Sequence, residues 1–223
     1  MKTPTAAPGF HSRSTGSAAR DVPRLYTYIV RHDIGFAPNP FYGICTLATC
    51  KPDIRDNAGI GDWVAGVGSK QKGQQGRLVF AMRVEEALSY DEYWTDPRFQ
   101  NKKPNRAGSL KQRYGDNIYH RSPCEASWIQ EDGRHSLEDG SPNMDHVQRD
   151  TSAPRVLLSE TFVYYGNSAV EIPDAFRDWQ GFDICPTGPG YKRNFPEELR
   201  DAFTTWLEGQ VHLGIDGEPL DWQ

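Results

Sequence analysis

Three adjacent side chains of the 223-residue chain, Arg31, His32 and Asp33, have the types needed to move a proton on an anionic substrate. A guanidinium anchors phosphate, an imidazole carries a proton near neutral pH, and a carboxylate orients the imidazole. They follow "LYTYIV", which reads as a buried strand, and successive strand side chains point to opposite faces. Arg31 and Asp33 therefore share a side, and His32 joins them only if the strand has ended by Val30. The bland alternative is a solvated strand end with an Arg–Asp pair. The turn that follows, "GFAPNPF", holds Asn39, whose amide both donates and accepts, and Phe41, a ring suited to stacking.

Further candidates lie along the chain. Ser69 and Lys70 close "GVGSK", where backbone N–H groups would cradle a phosphate and the lysine supply charge. The order of a Walker A loop is absent, and an ordinary hairpin end is the competing reading. Lys51 follows Cys50, and a cation beside a thiol favours a nucleophile. No partner histidine is identifiable, however, and cysteine is among the most buried residue types, so burial is the favoured reading. Trp63, Tyr93 and Trp94 offer rings for stacking, with Asp91, Glu92 and Asp96 as acceptors for a base N–H. The alternative for Tyr93 and Trp94 is a small hydrophobic cluster with polar edges. Asp116 and Asn117 sit between tyrosines in "YGDNIY". Cys45, Cys50, Cys124 and Cys185 form no CxxC pair, so no metal site is expected and no cofactor is indicated.

The elements that must position these groups are mainly strands. "RLYTYIV" is β-branched and aromatic, "ICTLATC" is a strand or a short helix, and a glycine turn leads Asp62 and Trp63 into an apolar strand. "GRLVFAMRVEEAL" places Leu78, Phe80, Met82 and Val84 on one alternating face, and "RVLLSETFVYYG" is a later strand. "NFPEELRDAFTTWLEG" reads as a helix with Asn194 as N-cap, an apolar stripe through Leu199, Phe203 and Leu207, and an end at Gly209. Residues 100–150 are polar, basic first and acidic later, and read as a mobile insertion or a loop over a site. The expected organisation is a flexible tail over 1–22, one domain over 23–209 and a C-terminal tail over 210–223. Hydrophobic residues at 37% rule out wholesale disorder, and a net charge of −5 excludes a protein that coats DNA with a basic surface. The start lacks a signal-peptide core and no run approaches a membrane span, so a reduced, cytoplasmic, soluble protein is expected.

Several strings together, "YTYIVRHDIGFAPNPFYGICTLATCKPDIR", "GDWVAGVGSK", "FAMRVEEALSYDEYWTDPRF", "GDNIY" and "VLLSETFVYYG", resemble the nucleotide modification associated domain 2 family of bacteria and phages. The resemblance runs from about 24 to about 208 and implies a connection to modified bases, with no set of catalytic residues attached. A looser similarity of "GDWVAGVGS", "LVFAMRVEEALSYDEYW" and "VLLSETFVYYG" to EVE and PUA-like domains implies an α+β fold, mainly β. Its core would be a small barrel or strongly curved sheet, with a C-terminal helix.

Three functions compete. The first is recognition of a modified or extruded base in an aromatic pocket, with a nucleotide or modified DNA as partner and DNA-modification proteins beside it. The second is an enzyme acting on a nucleotide or DNA base by group transfer or hydrolysis, with His32 as acid or base. Asp33 or Asp116 would support it, and Arg31, Lys51 and Lys70 would hold phosphate. The third is a subunit that binds a protein partner through its polar loops.

Overall fold

The computed structural model describes residues 22–122, 124, 126–211 and 214–222. The tail expected over 1–22 lies, Val22 apart, outside the described residues. The strands, in chain order, are β1 (Leu25–Val30), β2 (Cys45–Leu47), β3 (Trp63–Gly68), β4 (Arg77–Arg83), β5 (Glu86–Ser89) and β6 (Tyr119–Arg121). They continue with β7 (Trp128–Gln130), β8 (Arg155–Ser159), β9 (Phe162–Tyr164), β10 (Val170–Glu171), β11 (Tyr191–Lys192) and β12 (Gly214–Ile215). The helices are α1 (Pro52–Asn57), α2 (Tyr90–Thr95), α3 (Leu110–Arg113), α4 (Met144–Thr151) and α5 (Glu197–Gln210).

A seven-stranded mixed sheet runs β11-β1-β3-β4-β9-β12, with β10 beside β4. A three-stranded sheet, β2-β8-β5, and the ribbon β6-β7 complete the β structure. The two sheets are continuous through the chain: β4 runs into β5 and β8 into β9, each across a two-residue joint. Glu85 fixes these joints by accepting from the Glu160 and Thr161 N–H groups at 2.6 and 3.0 Å. Among the described residues the sheets do not close into a barrel, which corrects that part of the expectation; the mixed, mainly β character stands.

Alternation explains the layers. Tyr26, Tyr28 and Val30 of β1 enter a core with Leu47, Ile54, Phe80 and Leu157, where the small sheet and α1 meet the large sheet. Leu25 faces the other way, into a core with Leu199, Phe203 and Leu207 of α5. Each such side chain contributes ~1.5–3 kcal/mol by leaving water. The alternating face expected for β4 breaks at one point. Gly66 pairs with Phe80 but Val67 pairs with Leu78, so Val79 is bulged and Leu78 turns to the α5 side. Gly66 is required there, because a Cβ would stand 2.2 Å from Phe80 Cε1.

Among its described residues the polar segment 100–150 carries α3, β6, β7 and most of α4. From it Ile118, Tyr119 and Val147 join Phe36, Tyr90 and Val156 in a third core on the far side of the small sheet. The described residues of the chain end make contacts with the body of the fold. Within it β12 pairs with β9, and Trp222 stacks on Phe41 while its Nε1–H donates to the Ile34 carbonyl. Among the described residues no helix is long and apolar enough to cross a membrane.

Candidate active site

A cleft of about 630 Å³ opens at the C-terminal end of β1. Tyr28 and Phe36 line it with their rings, and Cys50, His135 and His146 line it with chemistry. Cys50 sits on the turn between β2 and α1, with Lys51 after it, and both have left-handed backbones, φ 56° and 41°. Residues with side chains rarely adopt this conformation, and where it is held the surroundings impose it. Here the buried Arg55 of α1 does so. Its Nε donates to the Cys50 carbonyl at 2.8 Å, and its Nη atoms donate to the carbonyls of Ala153, Arg155 and Asp150. One guanidinium thus ties the cysteine turn to the end of α4, using the planar fork that a lysine lacks.

Three side chains stand in line at that junction. Cys50 Sγ is 3.6 Å from His135 Nε2, and His135 Nδ1 is 2.6 Å from Asp150 Oδ2. Asp150 is fully buried and takes two more bonds that fix it, from the Cys50 N–H at 3.1 Å and the Tyr119 hydroxyl at 2.9 Å. The Arg149 Nε adds a fourth at 3.2 Å. Burial opposes the charge on Asp150, but the His135 bond and the charges of His135 and Arg149 outweigh it and hold the carboxyl at about 2. A carboxylate ionised there makes His135 Nδ1 the donor and leaves Nε2 facing the thiol. Burial pulls the His135 pKa down, yet its bonds to Asp150 and Cys50 raise it overall, which favours proton transfer from sulfur to imidazole. The arrangement is a Cys–His–Asp relay of the kind that activates a nucleophile through an oriented base.

The same three residues place one donor atom each within 4.8 Å of the others, so a metal ion has to be weighed. Asp150 occupies Nδ1 and Cys50 faces Nε2, on opposite sides of one ring. A cation shared by the three would have to displace the 2.6 Å bond between His135 Nδ1 and Asp150, whereas a relay keeps that bond and uses all three. Cys45 and Cys185 do not line the cleft, and burial pushes their thiols up to about 12.

The family model described as nucleotide modification associated domain 2 matches residues 22–223. The chain belongs to that family. No curated protein and no solved structure matches it, and nothing supports the further likeness to EVE and PUA-like domains. The family's description ties its members to nucleotide modification, and its match extends over both the polar segment and the chain end.

Of the residues singled out from the sequence, Arg31, His32 and Lys51 line the cleft of this family member. β1 ends at Val30, as a joint role for His32 required, but Asp33 turns away. Its carboxylate accepts from the Tyr164 hydroxyl and the Leu220 N–H, anchoring the chain end. Four others form a sealed network around buried Lys102. Its Nζ donates to the Asn39 carbonyl and Oδ1 at 2.9 and 2.8 Å and to Thr46 Oγ1 at 3.1 Å. Thr46 and Tyr93 in turn donate to Asp116 at 2.6 and 2.8 Å, and the Asn117 amide donates to the Tyr93 carbonyl. Phe41 packs on Trp222 and Trp63 lies in the α5 core. Ser69 caps a short 3-10 turn and Lys70 is exposed; a Cβ at Gly68 would stand 2.2 Å from the Gln74 carbonyl oxygen, so packing explains the glycine. Trp94 stacks on His120 at 4.0 Å and carries the Lys103 ammonium 3.4 Å from its ring centre. Two neighbours that close cannot share a face, so both faces of the ring are occupied.

Proposed function

We propose that this protein is a thiol-dependent enzyme of nucleotide modification, with Cys50 as nucleophile, His135 as acid and base, and Asp150 as the group that orients His135. The observation that carries the reading is the relay itself, open to a cleft at its sulfur end and closed by a buried carboxylate at the other. His135 takes the thiol proton as sulfur bonds to an electrophilic carbon of the substrate. The same imidazolium returns that proton to the departing group as the carbon–leaving-group bond breaks. Water or a second substrate, deprotonated by His135, then displaces sulfur and restores the thiol. Arg55 and Tyr119 act on this chemistry only by positioning the turn and the carboxylate. Recognition of a base by stacking has less support, since Trp63 and Tyr93 are buried and both faces of Trp94 are covered.

Exposed Cys124 supplies an internal reference for the test. Treatment with iodoacetamide at pH 7, followed by peptide mass spectrometry, is expected to label Cys50 at least about tenfold faster than Cys124, because the thiolate is the reactive form. The preference should survive a chelator, which separates the relay from a metal thiolate. Equal labelling of the two cysteines sinks the reading.

A further inference from the structure

Resting on the thiol reading, we infer that the cleft is an anion site in which Arg31 and Arg134 hold a phosphate of the substrate beside Cys50. The chain carries a net charge of −5, yet among the described residues no aspartate or glutamate lines this cleft. Arg31, Lys51, Arg134 and Arg149 all do. Elsewhere arginines meet carboxylates: Arg98 with Glu86 and Asp96, Arg106 with Asp132, Arg177 with Asp183. Arg149 is partly committed, to Asp150 and to His146 Nδ1. Lys51 lies with its ammonium 4.4 Å from the centre of the Tyr28 ring.

Arg31 and Arg134 are exposed at the mouth, and among the described residues neither has a hydrogen-bond or ion-pair partner. Arg31 stands close enough to Lys51 for their like charges to repel: burial lowers the Lys51 pKa most, the Cys50 charge raises it, and Arg31 lowers it further. A doubly charged phosphate relieves that repulsion, and guanidinium groups match its geometry through paired N–H donors. Tyr28 and Phe36 are among the lining residues, and the volume falls in the range of small-molecule sites, roughly 300–1,000 Å³. One nucleotide-sized group is accommodated, whether free or presented by a strand.

Two alkylating agents read the site directly, since iodoacetate and iodoacetamide deliver the same carbon with and without a negative charge. The iodoacetate-to-iodoacetamide rate ratio is expected to be at least about tenfold higher at Cys50 than at Cys124. The double variant R31Q/R134Q should bring the two ratios together. Deoxyadenosine 5′-monophosphate and a short single-stranded oligonucleotide without terminal phosphates are then compared as protectants of Cys50. Protection by the mononucleotide alone assigns the site to free nucleotides, and protection by the oligonucleotide assigns it to a phosphodiester strand. Equal ratios at the two cysteines, with neither compound protecting, overturn the inference. Iodoacetamide that fails to prefer Cys50 sinks the thiol reading alone, because calorimetric titration of C50A with the mononucleotide still reads the anion site.

Discussion

Two buried carboxylates, Asp116 and Asp150, anchor two polar networks that differ in one respect that matters. Both carboxylates are wholly inaccessible. Asp116 shares its network with Lys102, Thr46, Tyr93 and Asn39, and none of these residues lines the cleft. Asp150 shares its network with His135 and Cys50, which do. Their protonation follows their donors. Burial raises the pKa of Asp116 against the Lys102 charge, two hydroxyls and a backbone hydrogen bond. Asp150 is pulled the other way by an imidazole, a guanidinium and a hydroxyl. Perturbed titration occurs in structural networks as well as in active sites, and here the outlet to a cleft separates the two.

The largest expected effect breaks the sealed network. Lys102→Met removes the donor to Asn39 and Thr46 and the charge that offsets Asp116, and stripping compensation from a buried charge costs about 3–5 kcal/mol. Urea denaturation should show that loss, while C50A, at the open network, should stay within about 1 kcal/mol of the parent. The reverse order would mean that the relay is the structural network and the lysine cluster the functional one. His135→Gln comes next and sharpens the contrast, because the glutamine amide can still donate toward Asp150 while offering the thiol no base, and its urea midpoint controls for any loss of stability. General-base help amounts to ~10²–10⁴-fold, so iodoacetamide labelling of Cys50 at pH 7 should slow by about a hundredfold. A rate within a few-fold of the parent removes His135 from the mechanism.

The frame of both networks was legible in the sequence, and their membership was not. β1 and β3 lie where apolar composition put them, and α5 buries the predicted stripe through Leu199, Phe203 and Leu207. The Val79 bulge escaped because alternation carries no mark of an extra residue. "RVLLSETFVYYG" read as one strand but divides into β8 and β9, in different sheets. The relay escaped for a different reason. His135 is 85 residues from Cys50 in the chain, and Asp150 a further 15. Both lie in a segment whose polarity looked like exposure. A loop over a site was one of the two readings of that segment, and its histidines and aspartates are what such a loop would contribute. Spacing did not link them to Cys50, because only the Arg55 fork and the packing of α4 against α1 bring them together.

Acid tests the two carboxylates against each other with a smaller expected effect. The Asp150 pKa falls from 3.8 to about 2 on folding. A depressed carboxylate stabilises the fold fully above its unfolded pKa and loses that contribution as pH falls through the folded value. At ~1.4 kcal/mol per unit the contribution is about 2 kcal/mol. Asp116 carries the opposite sign, since its raised pKa makes ionisation a cost to the fold as pH rises. The stability gap between parent and D150N, measured in urea, should therefore narrow from pH 6 to pH 2. A gap that is constant over that range removes the charge of Asp150 from the account.

The smallest effect separates two histidines within the open network. His135 and His146 meet edge to face with ring centres 4.1 Å apart, yet their pKa values move in opposite directions. Burial lowers both, but His135 recovers through Asp150 and Cys50, whereas His146 is lowered further by the charges of His135 and Arg149. Geometry agrees. Arg149 Nη2 lies 3.1 Å from His146 Nδ1, and a guanidinium only donates, so that nitrogen accepts and the ring proton sits on Nε2. His146 thus stays neutral to a lower pH than His135 does, which suits it to donating a bond in the cleft and not to taking the thiol proton. Nitrogen-15 shifts followed from pH 5 to 8 should show His135 protonated to the higher pH and His146 as the Nε2–H tautomer. His146→Gln should then slow Cys50 labelling by less than about tenfold, below the range of general-base loss. Two rings titrating together, or a loss equal to that of H135Q, would make them one interchangeable base and dissolve the directional relay that distinguishes the open network from the sealed one.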